Sequence, residues 1–133
     1  MIENCRLKLI DIRLVWGNIK PIVEDLKNKH HLDWSPEDIY AQCLMGRSFL
    51  YSCNDGFVIV KPQENQFTLD KELFVWICYS KHNDGLTEYY DDICAIAKDI
   101  YAKSILFGSS REGFRKIAKQ KGWQSMTEYK INV

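Results

Sequence analysis

The chain has 133 residues, 46% of them hydrophobic and 27% charged, with 7 Gly and 3 Pro. That length suits one domain with its own core over residues 1–133, and the composition excludes a disordered, fibrous or collagen-like chain. Eighteen basic and eighteen acidic side chains cancel, so no net field draws the chain to nucleic acid or to an anionic membrane surface, and neither is an expected partner.

Five cysteines (Cys5, Cys43, Cys53, Cys78 and Cys94) are odd in number and scattered through apolar runs. They read as reduced packing residues rather than a disulfide framework. There is no Cys-x-x-Cys pair, and the adjacent His30 and His31 have no nearby ligand partners, so no metal is expected. Met1-Ile2-Glu3-Asn4-Cys5-Arg6 lacks the apolar core of a signal peptide, and no apolar stretch of about 18 residues offers a membrane span. The expected setting is the cytoplasm.

Residues 7–10 make a short first strand. From Asp11 a helical pattern begins, with Ile12, Val15, Trp16, Ile19, Val23 and Leu26 at three- and four-residue spacing. Gly17 and Pro21 lie inside it, which predicts a kink or a two-piece helix near Lys20. The run Asp33-Trp34-Ser35-Pro36-Glu37-Asp38 carries a Ser N-cap, Pro at the first helical position and an acid three residues after the cap. The helix it starts turns Ile39, Cys43 and Leu44 inward and stops near Gly46.

A strand over residues 48–52, the turn residues Asn54-Asp55-Gly56 and a strand over residues 57–61 read as an antiparallel hairpin, because Asp-Gly tolerates the backbone of a tight turn. Leu73-Phe74-Val75-Trp76-Ile77-Cys78-Tyr79 is apolar at every position, as in a strand covered on both faces, and is expected at the centre of the sheet. A polar turn over residues 80–85 leads into a helix with Tyr89, Ile93, Ile96, Ala97 and Ile100 on one stripe. A strand over residues 104–108 follows, then a short amphipathic helix marked by Phe114, Ile117 and Ala118 that ends at Gly122. Residues 123–133 supply the last strand or two. The order β, α, α, β, β, β, α, β, α, β mixes elements without strict alternation, which predicts an α+β domain with a mixed, mostly antiparallel sheet flanked by helices.

This order resembles the GNAT family of acyl-CoA N-acyltransferases over essentially the whole chain. The run Trp34-Ser35-Pro36-Glu37-Asp38-Ile39-Tyr40, the Asp55-Gly56-Phe57-Val58 hairpin and Leu73-Phe74-Val75-Trp76 are similar to small GNAT-like proteins encoded by tailed bacteriophages, which implies a host cytoplasm or a virion as the setting. The resemblance implies acetyl-CoA as a cofactor and a strand at residues 73–79 whose backbone, at Ile77 and Cys78, pairs with the pantetheine arm. It also implies a turn of the form Gln/Arg-x-x-Gly-x-Gly/Ala whose N–H groups take the diphosphate. Here that turn is His82-Asn83-Asp84-Gly85-Leu86-Thr87, with His82, Gly85 and Thr87 in the family's places. Asp84, Glu88, Asp91 and Asp92 crowd it, with Lys81 and His82 as compensation. Acids favour a helix N-terminus that holds nothing else and repel an incoming diphosphate, so a plain capped turn with Gly85 for geometry and Thr87 as N-cap is the competing reading.

The family's late motif, Asn-x-x-Ala-x-x-x-Tyr-x-Lys-x-Gly-Phe, aligns on Gly122-Trp123 and puts Gln120, Ala118, Phe114 and Arg111 at the Lys, Tyr, Ala and Asn places. Ala118 has no proton to give a thiolate, which leaves Tyr101, Tyr79 or a water as general acid and the catalytic residues undefined. Glu72, Asp70 and Glu112 are candidate bases for an ammonium substrate, and Cys78 reads as a buried thiol rather than a nucleophile. Tyr90 and Trp34 fall off the apolar stripes and are candidates for a protein-partner surface, while Arg111, Arg115, Lys116, Lys119 and Lys121 form a basic face around one short helix. Two functions follow: an N-acyltransferase acting on an amine substrate, or a GNAT-fold module without catalysis, such as a virion component or a modulator of a host protein.

Overall fold

The Asn54-Asp55 turn joins β2 (Phe49–Cys53) to β3 (Gly56–Glu64) in an antiparallel hairpin, with Cys53 opposite Gly56. This is the pairing that the turn chemistry demands. In the computed structural model, which describes residues 6–30, 32–82, 84–108, 118–124 and 131–133, this hairpin is the middle of a five-stranded sheet in the order β1-β2-β3-β4-β5. β1 is only Lys8–Leu9, β4 is Lys71–Ser80 and β5 is Ser104–Phe107. The first three pairings are antiparallel and β4 with β5 is parallel. The sheet is therefore mixed, as the element order predicts, although β3 and not β4 holds the middle place among the described strands.

α1 (Ile12–His30) and α2 (Pro36–Leu44) cover one face of the sheet. Ile12, Ile19 and Val23 from α1 and Ile39 from α2 pack there with Leu50, Phe57, Ile59 and Ile77. α1 is a single helix through Pro21 rather than two pieces. Pro21 lies on its exposed side, so Ile19 and Val23 on the buried side hold the helix against the sheet despite the missing N–H. α2 begins with the expected capping box, in which the Asp38 N–H reaches Ser35 Oγ at 3.3 Å and the Ser35 N–H reaches Asp38 Oδ2 at 2.8 Å. It ends at Gly46, whose φ of +71° lets Arg47 N–H return to the Gln42 carbonyl at 3.0 Å.

The other face is covered by α3 (Gly85–Glu88) and α4 (Tyr90–Asp99), one apolar stripe broken into two helices at Tyr89. Leu86, Tyr89, Ile93, Ile96 and Ala97 pack on Leu7, Val58, Val60, Leu73 and Val75. β3 thus sends Phe57 and Ile59 to one face and Val58 and Val60 to the other, all four buried. A fully buried Val or Ile contributes roughly 1.5–3 kcal/mol, which makes this strand the spine of the fold. A helical turn at residues 118–121 ends at Gly122 with φ +71°, and Trp123 N–H bonds to the Ala118 carbonyl at 2.8 Å. The expected strand over residues 123–133 falls largely on residues outside those described. No helix among the described residues is long and apolar enough to cross a membrane.

Candidate functional site

β4 pairs with β3 along its whole length, but the register slips between Ile59 and Val60. Ile59 faces Ile77 and Val60 faces Val75, so Trp76 is an extra residue on β4. Such a bulge turns the following side chains to the opposite face. Leu73 and Val75 accordingly pack on the α3/α4 face, and Ile77 packs on the α1/α2 face. β5 accompanies β4 only from Glu72 to Val75, where Val75 is opposite Phe107. Beyond the bulge, among the described residues, β4 has a strand neighbour on one side only.

A cleft of about 470 Å³ opens where the two strands part. Val75, Cys78, Leu86, Phe107 and Asp84 line it on the α3/α4 side, and Leu26, His30, Leu32, Trp34, Phe74 and Trp76 line it on the α1/α2 side. It therefore joins the two faces of the sheet. Its size is that of a small-molecule site, and its wall is apolar with a few polar groups. Trp34 stands edge-on to Trp76, ring centres 6.1 Å apart at 85°. β4 is fully buried at Leu73, Val75 and Ile77 alone. The remaining apolar positions from Phe74 to Tyr79 are half-buried, so seven apolar residues in a row do not here mean a strand covered evenly on both faces.

α3 starts against the backbone of β4. A side chain at Gly85 would place its first carbon 2.6 Å from the Cys78 carbonyl carbon, so only glycine lets the helix begin there. The N-cap is Asp84 and not Thr87: Asp84 Oδ1 accepts the N–H of Leu86 at 3.0 Å and of Thr87 at 3.2 Å. These are the N–H groups that the family turn would offer to a diphosphate. Glu88 and Asp92 are taken up by the segment before β1. Arg6 bonds to Glu88 Oε1 at 2.8 Å, and Asp92 Oδ2 accepts the N–H of Arg6 and of Leu7, each at 3.1 Å.

Of the residues the family resemblance assigns to the cofactor, Ile77 and Cys78 lie on the cleft wall. Gly85 is buried behind it, and Thr87 is exposed with its N–H on Asp84. His82 points outward, its Nε2 3.2 Å from Asp55 Oδ1, and ties the end of β4 to the hairpin turn. It is not among the residues lining the cleft. Burial, with Asp84 nearby, pushes the Cys78 thiol far above its ordinary value, which suits a packing residue and not a nucleophile. Cys43, Cys53, Cys78 and Cys94 are free thiols, and Cys5 lies outside the described residues.

The candidate acids and bases fare differently. Tyr101 is 81% exposed at the far end of α4, and Tyr79 packs against Phe57 with the rings tilted by 35° and their centres 5.6 Å apart. Neither lines the cleft. Glu72 is 3.4 Å from Ser104 Oγ, on the stretch that β5 covers, Asp70 is exposed, and Glu112 lies outside the described residues. Tyr90 is stacked on Trp123 at 5.9 Å with Lys121 over its ring at 4.6 Å, so it belongs to an aromatic seam rather than a free patch. Lys119 and Lys121 are exposed. Arg111, Phe114, Arg115, Lys116 and Ile117 lie outside the described residues.

His30 and Trp34 are the cleft residues that sequence reasoning missed. His30 reads only as a metal ligand without partners, and Trp34 as a surface aromatic. The one available signal was their position flanking the loop between α1 and a strongly capped α2. Among the described residues no group of three His, Cys, Asp or Glu could hold a metal ion.

No protein-family model matches this chain, and no curated protein matches it. Solved structures do. A ribosomal-protein-alanine N-acetyltransferase from Brucella melitensis biovar Abortus superposes with a TM-score of 0.66 at 15% identity, covering 96% of this chain and 99% of that one. A predicted acetyltransferase from Clostridium acetobutylicum, solved with acetyl-CoA, gives 0.66 at 13% identity, covering 95% and 94%. An acetyltransferase from Trypanosoma brucei gives 0.64 at 10% identity, covering 96% and 98%. With a mixed sheet of five strands among the described residues, helices on both faces and parting β4 and β5, this chain has the GNAT acyl-CoA N-acyltransferase fold.

Proposed function

We propose that this chain is an N-acyltransferase that takes its acyl group from an acyl-CoA thioester and passes it to an amine. The observation that carries this is the cleft between β4 and β5, which joins the two faces of the sheet beside a strand edge. The residues present fit one part of the donor and not another. The backbone of β4 from Trp76 to Tyr79 can pair with the amides of a pantetheine arm, and Leu86 and Phe107 can cover its apolar stretches. The diphosphate has no matching place at α3, because Asp84 already takes the N–H groups of Leu86 and Thr87 and adds a like charge.

When bound, the thioester supplies an activated acyl group: an amide C–N bond forms, the C–S bond breaks, and the acceptor's proton ends on the released thiol. The chain's own part is positional. Trp34, Trp76 and Leu86 keep water from the cleft, the β4 edge sets the direction of the arm, and His30 places an imidazole on the wall that can accept a hydrogen bond from an amine. Ala118 gives no proton, so the acceptor's proton reaches the thiolate by way of water.

Titration calorimetry with acetyl-CoA and with S-acetylpantetheine tests this reading. Weak saturable binding is expected for both, within about threefold of each other, because the diphosphate adds little when its cradle is closed. A second reading is favoured by the Asp84 cap and by Ala118: a GNAT-fold module without catalysis, of the virion or host-directed kind. Failure of both ligands to saturate at millimolar concentration would replace the first reading by the second.

A further inference from the structure

The loop between β3 and β4 is built to hold its shape. Asn65 Oδ1 accepts the N–H of Phe67 at 2.9 Å and of Thr68 at 3.1 Å, Leu69 N–H returns to the Asn65 carbonyl at 2.8 Å, and Asn65 N–H reaches the Asp70 carbonyl at 2.9 Å. Leu69 takes φ +64°, which a bulky side chain adopts only where its surroundings impose it. What this loop displays is apolar: Phe67 is 85% exposed and Leu69 67% exposed. A rigid loop loses little entropy when such side chains are buried by a partner. The charged residues between 64 and 70 are Glu64 and Asp70, with Lys71 opposite Glu64 at the base.

A groove of about 500 Å³ lies at the same end of the sheet, where β1 runs into α1 and α2 runs into β2. Leu9, Ile10, Ile12, Leu44, Phe49 and Leu50 form its apolar wall. Leu9 and Leu44 are exposed, as are Leu14 and Met45 next to the lining residues Arg13 and Leu44. Its rim is basic: Arg13 is matched by Asp11 at 2.6 Å, while Lys8 and Arg47, both exposed, adjoin the lining residues Leu9 and Ser48. One molecule thus carries an apolar knob flanked by acids and an apolar groove flanked by bases. Because both lie at one end, each of two copies can offer its knob to the other's groove. That is the two-fold arrangement in which residue i meets j and j meets i.

We infer that this end of the sheet is a self-association surface, in which Phe67 and Leu69 of one copy seat in the groove of a second copy, with Glu64 and Asp70 against Lys8 and Arg47. The contact is reciprocal and closes at two. Two knobs and their grooves bury on the order of 1,200 Å², the lower end of specific interfaces. The groove shares no lining residue with the cleft between β4 and β5, so the pairing leaves that cleft open.

Sedimentation equilibrium of the full chain tests this. A monomer–dimer equilibrium is expected, with a dissociation constant of about 10–100 μM. Phe67→Ser should weaken it by about tenfold. Leu69→Gly should weaken it several-fold while keeping the fold, because glycine takes the positive φ freely. Charge reversal separates this contact from indiscriminate apolar sticking. Glu64→Lys with Asp70→Lys, and separately Lys8→Glu with Arg47→Glu, should each weaken self-association by about tenfold, because knob and rim then carry like charge. An equimolar mixture of the two double variants should pair about as tightly as wild type, since each knob again meets a rim of opposite charge. Wild type that stays monomeric up to about 500 μM, the outcome if a different protein fills the groove, would overturn the inference. So would a dimer unmoved by Phe67→Ser, or a mixture that associates no better than its components.

Discussion

From Lys71 to Val75, β4 runs between β3 and β5, whereas from Trp76 to Ser80 it keeps β3 and parts from β5. Both stretches are rich in apolar residues, and their sequences alone do not distinguish them. The first is ordinary sheet interior, with Leu73 and Val75 buried under α4. The second, shifted in phase by the extra residue Trp76, presents half-buried side chains and a backbone edge to the cleft. An apolar strand residue can be buried by neighbouring elements or can form the wall of a site that a ligand completes. Which of these holds depends on the adjacent strand, since β5 ends at Phe107 while β4 continues.

The sharpest way to break that comparison is a polar side chain in each half. Val75→Asp places a carboxylate among buried side chains, costs several kcal/mol, on the order of the whole stability, and should give no folded protein. Trp76→Ser, one residue on, should fold with a loss of about 2–3 kcal/mol and lose ligand binding instead. Circular dichroism melts of the two decide it: a folded Val75→Asp, or a Trp76→Ser that fails to fold, would show that the halves do not differ in this way.

Gly85→Ala is the next largest effect. Its methyl would lie 2.6 Å from the Cys78 carbonyl carbon, so α3 must move off the second half of β4, at a cost of about 1–3 kcal/mol and a Tm drop of about 5–15 °C. A melt within about 1 °C of wild type would mean that α3 does not press on the strand.

Asp84 can be probed in two steps. Asp84→Asn removes the charge but keeps a capping oxygen, so stability should fall by a few tenths of a kcal/mol. Acetyl-CoA should then bind about fivefold more tightly, more so at low salt. Asp84→Ala also opens the N–H groups of Leu86 and Thr87, costs about 1 kcal/mol of stability, and should tighten acetyl-CoA beyond Asp84→Asn. Calorimetry showing no gain in either variant would mean that the carboxylate is not what keeps the diphosphate out.

Smallest is Tyr101, at the opposite end of β5 from the cleft, with φ +61° and its ring in water. Tyr101→Gly should leave stability within about 0.5 kcal/mol, since glycine takes that backbone conformation freely and Tyr101 packs on little. Acyl transfer should also be unchanged in a coupled thiol-release assay. A fall of tenfold or more would restore this phenol as the general acid.

Local chemistry made much of the fold legible. Asn54-Asp55-Gly56 marked the hairpin turn, although none of the three has a positive φ and glycine is needed at Gly56 because a side chain there would collide with the Tyr79 carbonyl oxygen, and Ser35 with Asp38 fixed the start of α2 because the cap is satisfied within four residues. The stripe from Tyr89 to Ala97 gave the helical face on the sheet, though not its break at Tyr89. Less of the site was legible. The acids around Asp84 pointed to a capped turn, but the sequence reading put the cap at Thr87, whereas the Asp84 carboxylate takes the N–H groups of Leu86 and Thr87. Arg6 as partner of Glu88 is 82 residues away, beyond any local pattern.

The sequence by itself determined the element order as far as β5, the capping box of α2 and the mixed α+β class, because hairpins, capping boxes and amphipathic stripes satisfy their hydrogen bonds and apolar faces between near neighbours. The tertiary structure alone decided that Trp76 is a bulge, that β5 stops at Phe107 while β4 goes on, and that His30 and Trp34 meet β4 across the cleft. Strand register and the meeting of distant elements are set by how whole faces pack, and one extra residue in a ladder reverses every side chain after it.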